Sequence, residues 1–312
     1  MFATLLGPLP RPPLPVDATP AELVRGAVEA QIEAGLEPVT DGLAPRIGGS
    51  LDAWAEVADV ARERATGVAV KATVIGPWTR GGADTDVLAV AAEVAALADA
   101  GCPFVELHEP AVVGRAFEPA ARRTVVEAWR AALSGLSERI HVSLVLVGGD
   151  AIGLGAAIYE APFASYGFDL RAGPDNWRVI ADAPGDRGIV AGALATRAGS
   201  DDGPELLVWA AQYAASLGGR GLDRVGLATS GSLADLPWDA AVVKMRRLGE
   251  AAAIAARGSF ADVAPHLDPR AVGTKSAAFG RFVPPRPRSG GGRSGRPGSG
   301  GRGSGRRGPG GR

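Results

Sequence analysis

The chain has 312 residues, of which 46% are hydrophobic and 5% aromatic, with a formal net charge of −1 and a single cysteine. This length and apolar content support one large α/β domain or two small ones, with a core built from Ala, Val and Leu rather than rings. The lone Cys102 excludes an intramolecular disulfide framework and points to a reducing compartment. There is no apolar run of about 18 residues and no basic, apolar leader, so the expectation is a soluble cytoplasmic protein without a membrane partner.

Charge is unevenly placed. Residues 284–312 carry eight arginines and no acid, which leaves the remainder near −9. That segment contains only Gly, Arg, Ser and Pro, has nothing to bury, and is expected to be a disordered tail. Residues 271–283 read as a linker and residues 1–270 as the folded domain.

In chain order, Phe2–Leu6 reads as a short strand running into a Pro-rich loop, and Thr19-Pro20 opens a helix that Gly35 stops. Strands follow at Glu37–Thr40, Val68–Ile75, Phe104–Leu107, Ile140–Val147, Ala164–Leu170, Gly188–Leu194 and Arg224–Thr229. Helices are expected at about Ser50–Arg64, Asp84–Ala100, Glu118–Leu133, Pro204–Leu217 and Trp238–Ala256, with a short one near Ala151–Tyr159. About eight strand–helix units in about 255 residues predict a single (β/α)8 TIM barrel; an open doubly wound sheet is the alternative. No strand runs into GxGxxG or GxxxxGK[ST], so nucleotide-binding fingerprints are absent.

In such a fold, chemistry sits at the C-terminal ends of the strands. Those ends present Arg11, Asp41, Thr79, His108, Glu109, Asp169, Arg171, Arg197, Thr229 and Ser230, with Lys71, His141 and Ser143 inside their strands. Each has a plain alternative. Asp41-Gly42 also suits an Asx turn, Lys71 a barrel-lining salt bridge, and His141 a hydrogen-bonded core residue. Glu109 is harder to dismiss, because a carboxylate at a strand tip has little structural purpose. Cys102 reads as a small buried hydrophobe.

The segments GPLPRP, IEAGLEPVTDG, VKATVIGPWTRG, LADAGCPFVELHEPAVV, IHVSL and LATSGSLADLPWDAAVVKMRRLGEAA follow one another in order over Leu5–Ala256. Together they resemble the catalytic barrel of cobalamin-independent methionine synthase, within the superfamily that includes uroporphyrinogen decarboxylase. The resemblance implies methyl transfer from a methylated folate to a thiol such as homocysteine, activated by a zinc ion held by an H-x-C pair, an acid and a Cys-Gly pair. Here His141 keeps the first ligand position and Asp169 lies near the acidic one, while Ser143 and Ser230 stand where the cysteines belong. The resemblance therefore implies zinc, but the serines imply a degenerate site that does not hold it. Leu43 and His108 stand where the family presents acids that grip an amino-acid ammonium.

The expected machinery is then catalytic His108, Glu109, Asp41 and Lys71, with Arg11, Trp78, Thr79, Arg197 and Ser230 binding a small-molecule substrate. This set could run acid–base chemistry without metal; His108, His141 and an acid could instead form a two-His, one-carboxylate metal site. The remaining alternative is an inactive barrel acting as a binding protein, its Arg/Gly-rich tail taking RNA or another polyanion through charge.

Overall fold

The computed structural model describes residues 1–64, 67–81, 86–200 and 203–267. The linker, the Arg/Gly-rich tail and its expected polyanion binding lie outside the described residues.

Seven parallel strands form one curled sheet: β1 (Phe2–Thr4), β2 (Lys71–Ile75), β3 (Phe104–His108), β4 (His141–Leu146), β5 (Ser165–Asp169), β6 (Gly188–Leu194) and β7 (Val225–Thr229). Their order is β1-β7-β6-β5-β4-β3-β2. The strand expected at Glu37–Thr40 is present only as isolated bridges, Ala3 with Glu37 and Val39 with Val70. Pro38 has no N–H to donate, so a continuous ladder is interrupted there. The bridges nonetheless join β1 to β2, because Glu37 N donates to Ala3 O and Lys71 N to Val39 O. The architecture is the expected TIM-barrel-like α/β fold.

The helices are α1 (Pro20–Glu33), α2 (Ser50–Arg64), α3 (Pro77–Gly81), α4 (Val87–Asp99), α5 (Pro119–Ala132), α6 (Asn176–Ala181), α7 (Pro204–Ser216), α8 (Trp238–Ala255) and α9 (Phe260–Val263). Thr19 and Glu22 form the capping box that starts α1. Two short helices were not expected: α3, where Gly76-Pro77 read as a loop, and α6. The helix expected near Ala151–Tyr159 is a 3-10 turn over Gly155–Glu160.

Alternation along each strand sorts the core into two parts. Val74, Leu107, Leu144, Phe168 and Ala191 face the helices in the main apolar cluster. Leu6, Val145, Val190 and Ala228 form a smaller plug inside the barrel. The interior is narrow on its β5–β7 side: a methyl at Gly192 would lie 2.5 Å from the carbonyl oxygen of Phe168 and 3.0 Å from that of Thr229. Both obstacles are backbone and cannot swing away. Gly192→Ala should therefore cost about 1–3 kcal/mol through forced overpacking, read as a lower urea midpoint at unchanged slope.

Candidate active site

The barrel interior carries a buried charged line that sequence reading only half anticipated. Lys71 and Glu106 face each other across β2 and β3, and Lys71 Nζ lies 2.7 Å from Glu106 Oε1 with both side chains essentially unexposed. Lys71 Nζ also donates to the carbonyl of Leu5. The other carboxylate oxygen of Glu106 meets His108 Nε2 at 3.2 Å. Glu106 and His108 share one face of β3, two residues apart, and point inward. Burial alone would push the Glu106 carboxyl up, but the Lys71 charge and the His108 contact outweigh it and hold it below the ordinary carboxylate value of 4.5. Glu106 is thus ionised between a cation and an imidazole. It was passed over in the sequence because it sits in the apolar run FVELH, where one charged residue between hydrophobes carries no rim signal.

Glu109, the next residue beyond β3, is fully buried but does not join this line. Its Oε1 accepts from Trp78 N at 3.0 Å and from Trp129 Nε1 at 2.9 Å. Its Oε2 accepts from Thr79 N at 2.7 Å and Thr79 Oγ1 at 2.5 Å. Burial pushes its carboxyl up from the usual range while these donors pull against the shift. The carboxylate pins the first turn of α3 and the indole of α5 to the tip of β3. Gly76 is required for this, since any Cβ there would collide with the Glu109 carboxylate. A strand-tip carboxylate does have a structural purpose here, and Trp78 and Thr79 belong to the same joint.

Asp41 and Asp169 are similarly occupied. Asp41 Oδ1 accepts from Leu43 N at 3.0 Å, which is the Asx turn, and its Oδ2 lies 3.4 Å from Arg46. Asp169 accepts from the backbone N–H groups of Arg171, Ala172 and Gly148. Arg11 staples the Pro-rich loop through the carbonyls of Pro15 and Val16. Cys102 is buried just before β3, and burial lifts its thiol to about 11, leaving it protonated and inert.

At the C-terminal mouth, Asp169, Arg171, Arg197, Ser230 and Asp235 line an open cavity of about 660 Å³. Asp169, Arg197 and Ser230, proposed separately from the sequence, thus meet at one cavity, with Arg197 exposed and Ser230 buried. His108 lies level with Val145, and Val145 with Gly167. It is therefore one inward-facing step below the Asp169 level, about 7 Å down the strand direction.

The residues proposed as zinc ligands do not converge. Ser143 pairs with Ser165, so Asp169 stands level with Val147, six residues above His141. That separates His141 from Asp169 by roughly 20 Å along the barrel. His141 is the first residue of β4 and sits at the opposite, N-terminal floor. The two-His, one-carboxylate alternative fails on the same geometry, since His108 is level with Val145, four residues above His141. Ser143 does face the interior, level with Glu106, and its buried hydroxyl has no partner among the described residues. No group of three or more metal-ligating side chains is found among the described residues. Two serines, a floor histidine and a loop-bound aspartate do not fit a tetrahedral zinc site.

Solved structures share the fold. A putative vitamin-B12 independent methionine synthase from Listeria monocytogenes superposes with a TM-score of 0.64 at 14% identity, over 81% of this chain and 97% of that one. In fold, the chain resembles the B12-independent methionine synthases. A B12-independent methionine synthase from Shewanella sp. W3-18-1, in complex with selenomethionine, gives a TM-score of 0.63 at 15% identity, over 82% and 97% of the two chains. A methyltransferase from Methanosarcina mazei gives 0.52 at 12% identity, over 81% and 94%. The sequence matches no protein-family profile and no curated protein. No helix among the described residues is long and apolar enough to cross a membrane.

Two outcomes test this arrangement. Glu106→Gln leaves Lys71 buried against a neutral amide and should cost about 3–5 kcal/mol, whereas the paired change Lys71→Met with Glu106→Leu should restore most of it; urea denaturation of the three chains reads both. Because the folded Glu106 carboxyl is lowered, the stability it contributes is fully present above its ordinary value of 4.5 and is lost as pH falls below that value through the lowered one. Acid unfolding of the paired variant should therefore lose part of its slope below pH 4.5.

Proposed function

We propose that this chain is a divergent barrel enzyme that binds a small anionic molecule at its C-terminal mouth and moves a proton with His108, in place of zinc-assisted methyl transfer to a thiol. The observation that carries this reading is the buried Lys71–Glu106–His108 line beneath the mouth. An ionised Glu106 accepts from Nε2–H of His108, which leaves the Nδ1 lone pair as the base. Nδ1 has no hydrogen-bond partner among the described residues. Lys71 keeps the carboxylate charged, so Glu106 holds the His108 ring in this orientation and tautomer. Arg171 and Arg197 offer guanidinium groups to an anionic substrate at a wall they share with Asp235 and with Asp169, whose carboxylate is engaged by backbone N–H groups.

A small-molecule ligand agrees with the selenomethionine held by one of the fold neighbours. Thiol methylation is the function that those neighbours' names carry, but this chain lacks the cysteine pair, and its remaining donor candidates lie at opposite ends of the barrel. Asp41, Glu109 and Asp169 are assigned to holding loops, and Arg197 and Ser230 to binding.

Two measurements decide between these readings. Incubation with zinc, homocysteine and a methylated folate is expected to yield no methionine; turnover would reverse the assignment. Calorimetric titration with phosphomonoesters and dicarboxylates is expected to find a saturable binder, weakened about tenfold in Arg197→Ala. With a reactive binder in hand, His108→Gln should lower kcat by about 100-fold or more while changing its Kd little. Undiminished turnover would remove His108 from the chemistry.

A further inference from the structure

The N-terminal floor of the barrel, at the far end from the mouth, holds a cavity of about 290 Å³ that the preceding assignments leave unused. Phe2 and Phe104 wall it, and His141 and Ser165 supply its polar groups. The Phe104 and His141 rings stack at 4.7 Å between centroids, with 19° between their planes. His141 Nε2 lies 2.8 Å from Ser165 Oγ, and Ser165 is buried while His141 remains open on its outer side. Burial pushes the His141 imidazole below its ordinary value of 6.5, so the ring is neutral near pH 7.

Two glycines make this space. At Gly226 a Cβ would enter the Phe2 ring, and at Gly188 it would lie 2.8 Å from the Ser165 Cβ. The apolar plug of Leu6, Val145, Val190 and Ala228 lies above, between this cavity and the mouth. At the edge stand Asp186, Asp223 and Arg224, with Arg187 3.9 Å from Asp186 but outside the lining, so the rim carries more acid than base and disfavours an anion.

A serine beside a neutral histidine invites a hydrolase reading, which the backbone disfavours. The N–H groups flanking Ser165 are committed to the sheet, Ala164 N to Val142 O and Gly188 N to Ala164 O, each at 2.9 Å. They cannot turn toward a developing oxyanion. The pair is equipped to recognise a ligand, not to cleave one. Its features are flat aromatic walls, one hydroxyl–imidazole pair able to donate and accept, room for a single ring, and an edge with two acids and one arginine.

We propose that this floor cavity is a second binding site, for a neutral single-ring heteroaromatic molecule that lies against the Phe2 and Phe104–His141 rings and exchanges hydrogen bonds with His141 and Ser165. Aromatic faces favour offset or edge-on contact with such a ring, and small-molecule sites of this kind pair apolar walls with a few placed polar groups.

The test is a titration of the full chain with nicotinamide, followed by NMR of the histidine side chains. A saturable shift of the His141 ring with a Kd of about 1 mM or tighter is expected, with the His108 ring unmoved. Ser165→Ala should weaken binding by about three- to tenfold, and Phe104→Leu should weaken it as well. Saturated cyclohexanecarboxamide and anionic benzoate should bind more weakly than nicotinamide. No saturable His141 shift in the unaltered chain overturns the proposal, and so does equal binding of the saturated ring. A shift confined to His108 would place the ligand at the mouth and overturn the floor site while leaving the mouth assignment standing.

Discussion

A charge pair buried on the axis of a barrel has to be satisfied by the barrel itself. Lys71 and Glu106 are both essentially unexposed, and neither could be ionised there without the other. Their contact ties β2 to β3 and, through the carbonyl of Leu5, to the exit of β1. It spans the seam where the sheet closes only through the bridges around Glu37 and Val39. A salt bridge and its carbonyl acceptor thus reinforce the place where a Pro has thinned the backbone ladder. His108 completes the same network through its contact with the second carboxylate oxygen of Glu106.

The other acids of the C-terminal face are committed to positioning. Glu109 gathers four donors from α3 and α5, Asp169 takes three backbone N–H groups, and Asp41 closes a turn. Each holds a loop or helix start at the C-terminal face.

Fold likeness and chemistry separate clearly in this chain. The methionine synthase barrels superpose on it over 97% of their length at 14–15% identity, which speaks for the scaffold. What a side chain can reach depends on its depth in the barrel, which strand register sets. His141 shows this best. Its place in an H-x-S pair looks like a metal ligand in one dimension, yet at the start of β4 it lies on the floor, against Phe104 and Ser165.

Much of the fold was legible because it follows from local rules. Apolar runs bounded by Gly and Pro, Thr19 capping α1, and helical periodicity between strands placed nearly every element within a few residues. The Asx turn at Asp41 was readable for the same reason. Depth within the barrel was not, because it depends on the register between strands that are distant in sequence. Glu106 became visible only when β2 brought Lys71 beside it, and Glu109 lost its apparent freedom only when Trp129, twenty residues on, folded back onto it. By itself the sequence determined the alternation of strands and helices, the chemical identity of each side chain and the presence of a single thiol. Only the tertiary structure decided which charges meet, because register and long-range packing, not residue order, set the distance between one strand's side chain and the next.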